Sequence, residues 1–149
     1  MRIQTKYFGE VELSSNQYWD FPKGIPGFEN EKEFVLLPIE NNTMFQVLQS
    51  VKDRDVALVV ANPYEFVENY TFNIDEPTIG LLDIIEEKDV FVLGVLSLKD
   101  PFETSTINLL APIVFQSKTK KAKQMIINDS IFSVRHTIGS QTAIVKEEA

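Results

Sequence analysis

Phe21-Pro22-Lys23-Gly24-Ile25-Pro26-Gly27-Phe28-Glu29 is the stretch around which the chain is organised. It holds two prolines, two glycines, three large apolar side chains and a closing carboxylate. Pro26-Gly27 fits the central pair of a type II turn: proline pre-sets φ at the first position, and glycine takes φ > 0 cheaply at the second. Phe21 and Phe28 stand on either side of that turn, at a spacing that lets both rings fall back onto a shared core. On spacing alone this is a tight loop with anchoring aromatics.

Upstream, Ile3, Thr5 and Tyr7 alternate with Gln4 and Lys6, and Val11-Glu12-Leu13 resumes the alternation after a turn at Gly9-Glu10. This predicts a hairpin. Tyr18-Trp19-Asp20-Phe21 leads into the loop, with the single tryptophan as a packing residue at its base. Downstream, residues 33–37 and 44–51 read as strands, the second with Phe45, Val47 and Gln49 on one face. Residues 56–61 and 90–96 are apolar throughout, the pattern of neighbouring central strands covered on both faces. Residues 64–70 suggest a turn of helix and 70–74 a strand. Asp75-Glu76-Pro77-Thr78 has the proline and acids of a first helical turn, followed by an apolar stripe at Ile79, Leu82 and Ile85, with Leu82 the earliest end.

Residues 106–116 read as a strand in which Pro112 forces a bulge or an edge position. A basic turn at 117–123 and strands at 124–127 and 131–134 complete the pattern. Short strands divided by proline and glycine imply an all-β, mainly antiparallel domain: a small β-barrel or sandwich with one or two short helices. Residues 1–138 are expected to form one domain and 139–149 a flexible tail.

At 149 residues the chain can bury a substantial core, roughly 70% of its unfolded surface. No apolar run approaches the roughly 20 residues that span a bilayer, and Met1-Arg2-Ile3-Gln4-Thr5-Lys6 lacks a signal-peptide core, so a cytoplasmic protein is expected. The absence of cysteine removes disulfides, thiol nucleophiles and thiolate metal sites. A net charge of −8 disfavours direct nucleic-acid binding and would favour a basic partner through long-range steering, although solubility is the better explanation of the charge by itself.

Catalytic patterns are sparse. His136 is the sole histidine, so one Ser-His-Asp set is arithmetically possible, but no Gly-x-Ser-x-Gly elbow accompanies it. Phosphate loops and dinucleotide fingerprints are missing. Asp83, Glu86, Glu87 and Asp89 lack the spacing of a calcium loop and read as a solvated acidic face. Lys118, Lys120, Lys121 and Lys123 lack interleaved aromatics and read as a hairpin tip. No cofactor, metal or membrane is expected.

The organising loop is followed in order by Phe34-Val35-Leu36-Leu37, Phe45-Gln46-Val47-Leu48-Gln49-Ser50, Asn62-Pro63-Tyr64, Asn108-Leu109-Leu110-Ala111-Pro112-Ile113-Val114 and Gln124-Met125-Ile126-Ile127. From about Thr5 to His136 this ordered set resembles the FliW family of bacterial flagellar assembly factors. The resemblance implies a small, mostly antiparallel β-barrel-like fold and a non-enzymatic protein, taken as a monomer when free. It also implies two alternative cytoplasmic partners, flagellin and the RNA-binding translational regulator CsrA. Binding CsrA would relieve repression of flagellin translation, and accumulating flagellin would sequester the factor and restore it. Under this reading Asp75, Glu76, Asp83, Glu86 and Glu87 are candidates for meeting CsrA. Phe45, Leu48, Gln49, Asn108, Leu110, Pro112 and Ile113 are candidates for meeting flagellin. Two rival readings are a small β-barrel binding a flavin or similar ligand among its eleven phenylalanines, and an enzyme using His136.

Overall fold

The long apolar runs divide into two faces once they pair. The computed structural model describes residues 1–127 and 132–138. In chain order its strands are β1 (Arg2–Thr5), β2 (Gly9–Glu12), β3 (Tyr18–Asp20), β4 (Glu33–Ile39), β5 (Asn42–Ser50) and β6 (Ala57–Ala61). Helix α1 (Glu76–Leu82) then precedes β7 (Val90–Ser97), β8 (Thr106–Ile107), β9 (Ile113–Gln116), β10 (Lys121–Gln124) and β11 (His136–Thr137). The order β7-β6-β5-β4-β3-β10-β9 closes on itself, because β9 pairs back with β7 from Val90↔Gln116 to Leu93↔Ile113. The ring is antiparallel except where β3 meets β10 at Asp20↔Lys121. Closure removes free edges from these seven strands. Beyond it, β8 pairs with the far end of β7, and β11 pairs with β8.

Alternate residues of each strand fill the barrel. Trp19, Phe21, Ile25, Phe34, Leu48, Val60, Leu93, Ile113, Phe115 and Ala122 form one buried cluster. Its rings meet edge to face: Phe21–Phe34 centroids lie 4.9 Å apart and Trp19–Phe115 5.0 Å apart. The phenylalanines that a ligand-binding barrel would turn toward a cavity here pack against one another. The outward residues are covered too. Ile3 and Leu13 of the β1–β2 hairpin region cover Val35, Leu37 and Val47. Tyr70, Leu82, Ile107, Leu109, Met125 and Ile138 cover Ala61 and Val114. That double coverage explains why residues 56–61 read as apolar throughout: Leu58 and Val60 face inward, Ala57, Val59 and Ala61 outward.

The organising loop adopts the expected turn. Phe28 donates its N–H to the Ile25 carbonyl at 2.6 Å, and Gly27 has φ +89°, as the second central residue of a type II turn requires. Phe21 is in the core, but Phe28 is not. Its ring is 40% exposed, and Ile25 takes the inward position instead. Ile25 and Phe28 also bridge across the turn, with the Ile25 N–H on the Phe28 carbonyl at 3.4 Å.

Other expectations are corrected by pairing. Residues 106–116 form two strands rather than one, separated where the Asn108 Oδ1 accepts the Leu110 and Ala111 N–H groups and bends the chain. Residues 70–74 keep a strand's in–out alternation but join no ladder. The basic turn is shorter than expected, because Lys121 begins β10, and β10 stops at Gln124 so that Met125–Ile127 lie beyond the ladder. Residues 64–70 hold a 3-10 turn at Pro63–Glu65. Helix α1 stops at Leu82, leaving Ile85 89% exposed outside the apolar stripe. Of the strand expected at 131–134, Ile131 lies outside the described residues, as does the tail 139–149, and residues 132–134 form no strand.

Gln49 explains how the hairpin is tied on. Its Oε1 accepts the Lys6 N–H at 3.0 Å. Its Nε2 lies 3.1–3.3 Å from the carbonyls of Ser50, Asp53, Arg54 and Val56. One side chain therefore binds the turn after β5 to the hairpin, and a buried amide of this kind costs about 1–3 kcal/mol for each partner left unsatisfied.

Two stability predictions follow from these geometries. Gly27→Ala should cost about 1–2 kcal/mol, the strain of a left-handed residue with open space around its Cβ. Gly24→Ala should cost more, because a Cβ there would lie 2.5 Å from the Glu29 carbonyl oxygen. Urea melts of both variants measure the difference. Gln49→Leu should lower stability by at least about 2 kcal/mol, with amide exchange at Lys6 rising most.

Candidate interaction surfaces

Helix α1 is short, and its ends are held from outside. Asp75 caps it: Oδ1 accepts the Thr78 N–H at 2.9 Å. Contact with Thr78, with the charge of Lys123 adding more weakly, holds the exposed Asp75 carboxyl below the usual range. At the other end Asp83 is left-handed (φ 55°), and its N–H returns to Gly80 and Ile79. Gln116 donates to the Asp83 carbonyl and Thr119 to the Leu82 carbonyl, each at 3.0 Å. Lys121 Nζ lies 3.0 Å from Asp83 Oδ2. The last carbonyls of the helix are thereby satisfied by the β9–β10 hairpin, which fixes α1 against the barrel.

Between α1 and the start of β7 this arrangement leaves an open apolar cleft of about 540 Å³. Tyr64, Phe72, Ile79, Ile84 and Phe91 form its walls, and Glu87 stands on its rim. Of the predicted acids, Glu87 lines this cleft, while the others stand on or next to α1. Glu76 is exposed on the first turn of α1, Asp83 ends it, and Glu86 pairs with Lys88 at 3.2 Å in the segment that follows. Asp75 is engaged as a cap. The apolar walls were not singled out from sequence, because an isoleucine at helical spacing looks the same whether it faces a core or an open cleft.

The second predicted set does not form one surface. Leu48 and Ile113 lie in the barrel interior, Gln49 is fully buried in its amide network, and Pro112 is buried with its carbonyl accepting the Met125 N–H at 2.9 Å. Phe45, Asn108 and Leu110 remain partly exposed. Phe45 stacks on Phe66 and meets Phe102 edge to face, with centroids 6.4 and 5.8 Å away. Phe102 itself is 48% exposed and was missed, since residues 101–104 carry no periodicity. Phe45 lies opposite Ala61, which lies opposite Gly94, where Ile107 packs over the missing side chain. The outer apolar row therefore runs across four strands.

His136 occupies β11 opposite Ile107. Among the described residues, no group of three histidine, aspartate or glutamate side chains converges as a metal site, and no helix is long and apolar enough to cross a membrane.

Comparison with known proteins covers the same extent as the barrel and its outer layers. The family model described as "FliW protein" matches residues 2–138. Flagellar assembly factor FliW of Bacillus velezensis is 44% identical over 139 residues, covering 93% of this chain and 97% of that protein. The Bacillus subtilis (strain 168) protein of the same name is 44% identical over 142 residues, covering 95% and 99%. A crystal structure of the flagellar assembly factor FliW superposes with a TM-score of 0.88 at 36% identity, covering 93% of this chain and 96% of that one. With sequence and fold matched nearly end to end, the chain belongs to the FliW family of flagellar assembly factors.

Proposed function

We propose that this chain is a non-enzymatic, cytoplasmic flagellar assembly factor that binds flagellin and, alternatively, binds and antagonises CsrA, so coupling flagellin level to flagellin translation. The observation that carries this reading is the end-to-end family match over residues 2–138. Two separated surfaces of different chemistry support it. The cleft beside α1 has apolar walls and holds Glu87, with Glu76 and Glu86 exposed on the same stretch of chain, which suits a basic partner with an apolar segment. The outer row at Phe45 and Phe102 is apolar and suits flagellin contacts, and the partly exposed Leu110 and Asn108 are further candidates away from it. Having two places to bind allows one partner to affect the other through the barrel as well as by direct overlap.

Titrations of the purified chain with CsrA and with flagellin test the reading, and failure to bind either would refute it. Reversing Glu76, Glu86 and Glu87 together to lysine should reduce CsrA association mainly in on-rate. The loss should be largest at low salt, because attraction between exposed charges is screened over roughly 8 Å at physiological ionic strength. Asp75 is left intact because losing its cap would itself cost about 1 kcal/mol. Flagellin binding should survive in that variant. Conversely, Phe102→Ser should weaken flagellin about tenfold or more while sparing CsrA, as expected when an exposed aromatic anchor is removed. Hydrogen exchange should show flagellin protecting residues 101–110.

A further inference from the structure

The open end of the barrel carries a second recess, of about 310 Å³, walled on one side by the organising loop. Ile25, Phe28, Leu58 and Val95 give it apolar walls, and Val134, 51% exposed, extends them. The loop is held rigid by its own bonds. Phe21 N–H reaches the Lys32 carbonyl at 2.7 Å, Glu29 Oε2 accepts the Gly27 N–H at 3.1 Å, and Lys32 Nζ reaches the Pro22 carbonyl at 3.0 Å. A rim so completely bonded that still holds Phe28 outward is preorganised for contact.

Apart from Gln124, whose Nε2 is spent on the Ala111 carbonyl, the polar side chains lining this mouth can donate. Arg2 faces Glu10 and Glu12, and Arg54 faces Asp55, but Arg135 has no acidic partner among the described residues. Asn108 spends its carbonyl oxygen on Leu110 and Ala111, which leaves its amide N–H groups available. Ser97 adds a hydroxyl. The loop's own acid, Glu29, is turned onto Gly27, and that bond with the turn backbone holds its carboxyl below the usual range. A guanidinium beside an amide donor and an apolar recess is complementary to a carboxylate carried next to an apolar side chain.

We infer that the barrel mouth binds a segment of a protein partner that presents an internal glutamate or aspartate beside an apolar residue. The carboxylate lies on Arg135 with support from Asn108, and the apolar side chain enters between Ile25, Phe28 and Val95. The donors belong to side chains, and the Gly27 N–H is already used, so the site suits a side-chain carboxylate rather than a chain terminus. This inference rests on the chain's role as a protein-binding factor. It adds an acid-selective site in a molecule whose other charged surface selects bases.

The test is titration of the intact chain with acetyl-Leu-Glu-Leu-Ala-amide, followed through backbone amide chemical shifts. Saturable shifts are expected at residues 25–28, 97, 108, 134 and 135. Acetyl-Leu-Gln-Leu-Ala-amide should bind about tenfold more weakly or worse, as should the glutamate peptide on Arg135→Gln. Arg135→Lys should retain part of the binding, and Arg135→Glu should abolish it. Among the described residues only the backbone N–H of Arg135 is bonded, to Ser133, so these variants should keep wild-type melts. No saturable shift up to about 10 mM peptide would overturn the inference. Equal affinity for the two peptides, or unaltered binding by Arg135→Gln, would do the same. Preference for acetyl-Leu-Gln-Leu with a free terminus would overturn the side-chain assignment. Flagellin titration of the wild type reads the proposed function separately, so the two can fail independently.

Discussion

Closure of the sheet is the constraint on which the rest of this molecule depends. Strand β7 must pair with β6 through Val60↔Val95 and Ala61↔Gly94, and with β9 through Val90 to Leu93. The opposite seam is narrow: β3 and β10 share the Asp20↔Lys121 register, with the Asp20 N–H on the Lys120 carbonyl at 2.8 Å. Trp19 reinforces that seam from both sides. Its ring packs edge to face on Phe115 and Phe91 within the barrel end, and Lys120 Nζ lies 4.1 Å from its centroid. A side chain that links two strands sharing so little ladder contributes to closure as well as to burial.

Once the ring is closed, interior and exterior must both be covered, and the two coverings differ in origin. The interior is filled by the strands themselves. The exterior needs added elements: the β1–β2 hairpin, pinned through Gln49, and the segment from Tyr70 through α1, pinned through Gln116, Thr119 and Lys121. These elements do not meet seamlessly. Where α1 stands off from β7 an apolar cleft stays open, and where β9 leaves β7 after Leu93 the barrel mouth stays open. The cleft and the mouth, where partners are proposed to bind, lie at gaps in the covering of the barrel.

Charge is distributed over those gaps with opposite sense. Glu87 lines the α1 cleft, while the mouth holds Arg135 in a chain with 22 acidic and 14 basic residues. The organising loop contributes to the second gap through its turn geometry: Gly24 admits the Glu29 backbone where any Cβ would collide, and the type II turn then holds Phe28 at the rim. The same glycines and prolines that mark the loop in the sequence therefore shape a surface in the fold.

The sequence by itself determined the elements whose signal is local. Alternation placed the hairpin at β1–β2, continuous apolar runs placed β6 and β7 as neighbours covered on both faces, Asp75-Glu76-Pro77 started α1, and Pro26-Gly27 specified its turn. Each rests on periodicity or on backbone restrictions within a few residues. The ordered motifs also marked the family. Only the tertiary structure decided which half of an amphipathic pattern meets protein and which meets water. Phe28 and Ile85 became exposed, Leu48, Gln49 and Ile113 became buried, and residues 70–74 kept a strand's alternation without a partner. The clefts, and the lack of an acidic partner for Arg135 among the described residues, were likewise illegible, because they arise from distances between segments far apart in the chain. A side chain's composition fixes its appetite for burial, but its neighbours across the closed ring decide whether that appetite is met.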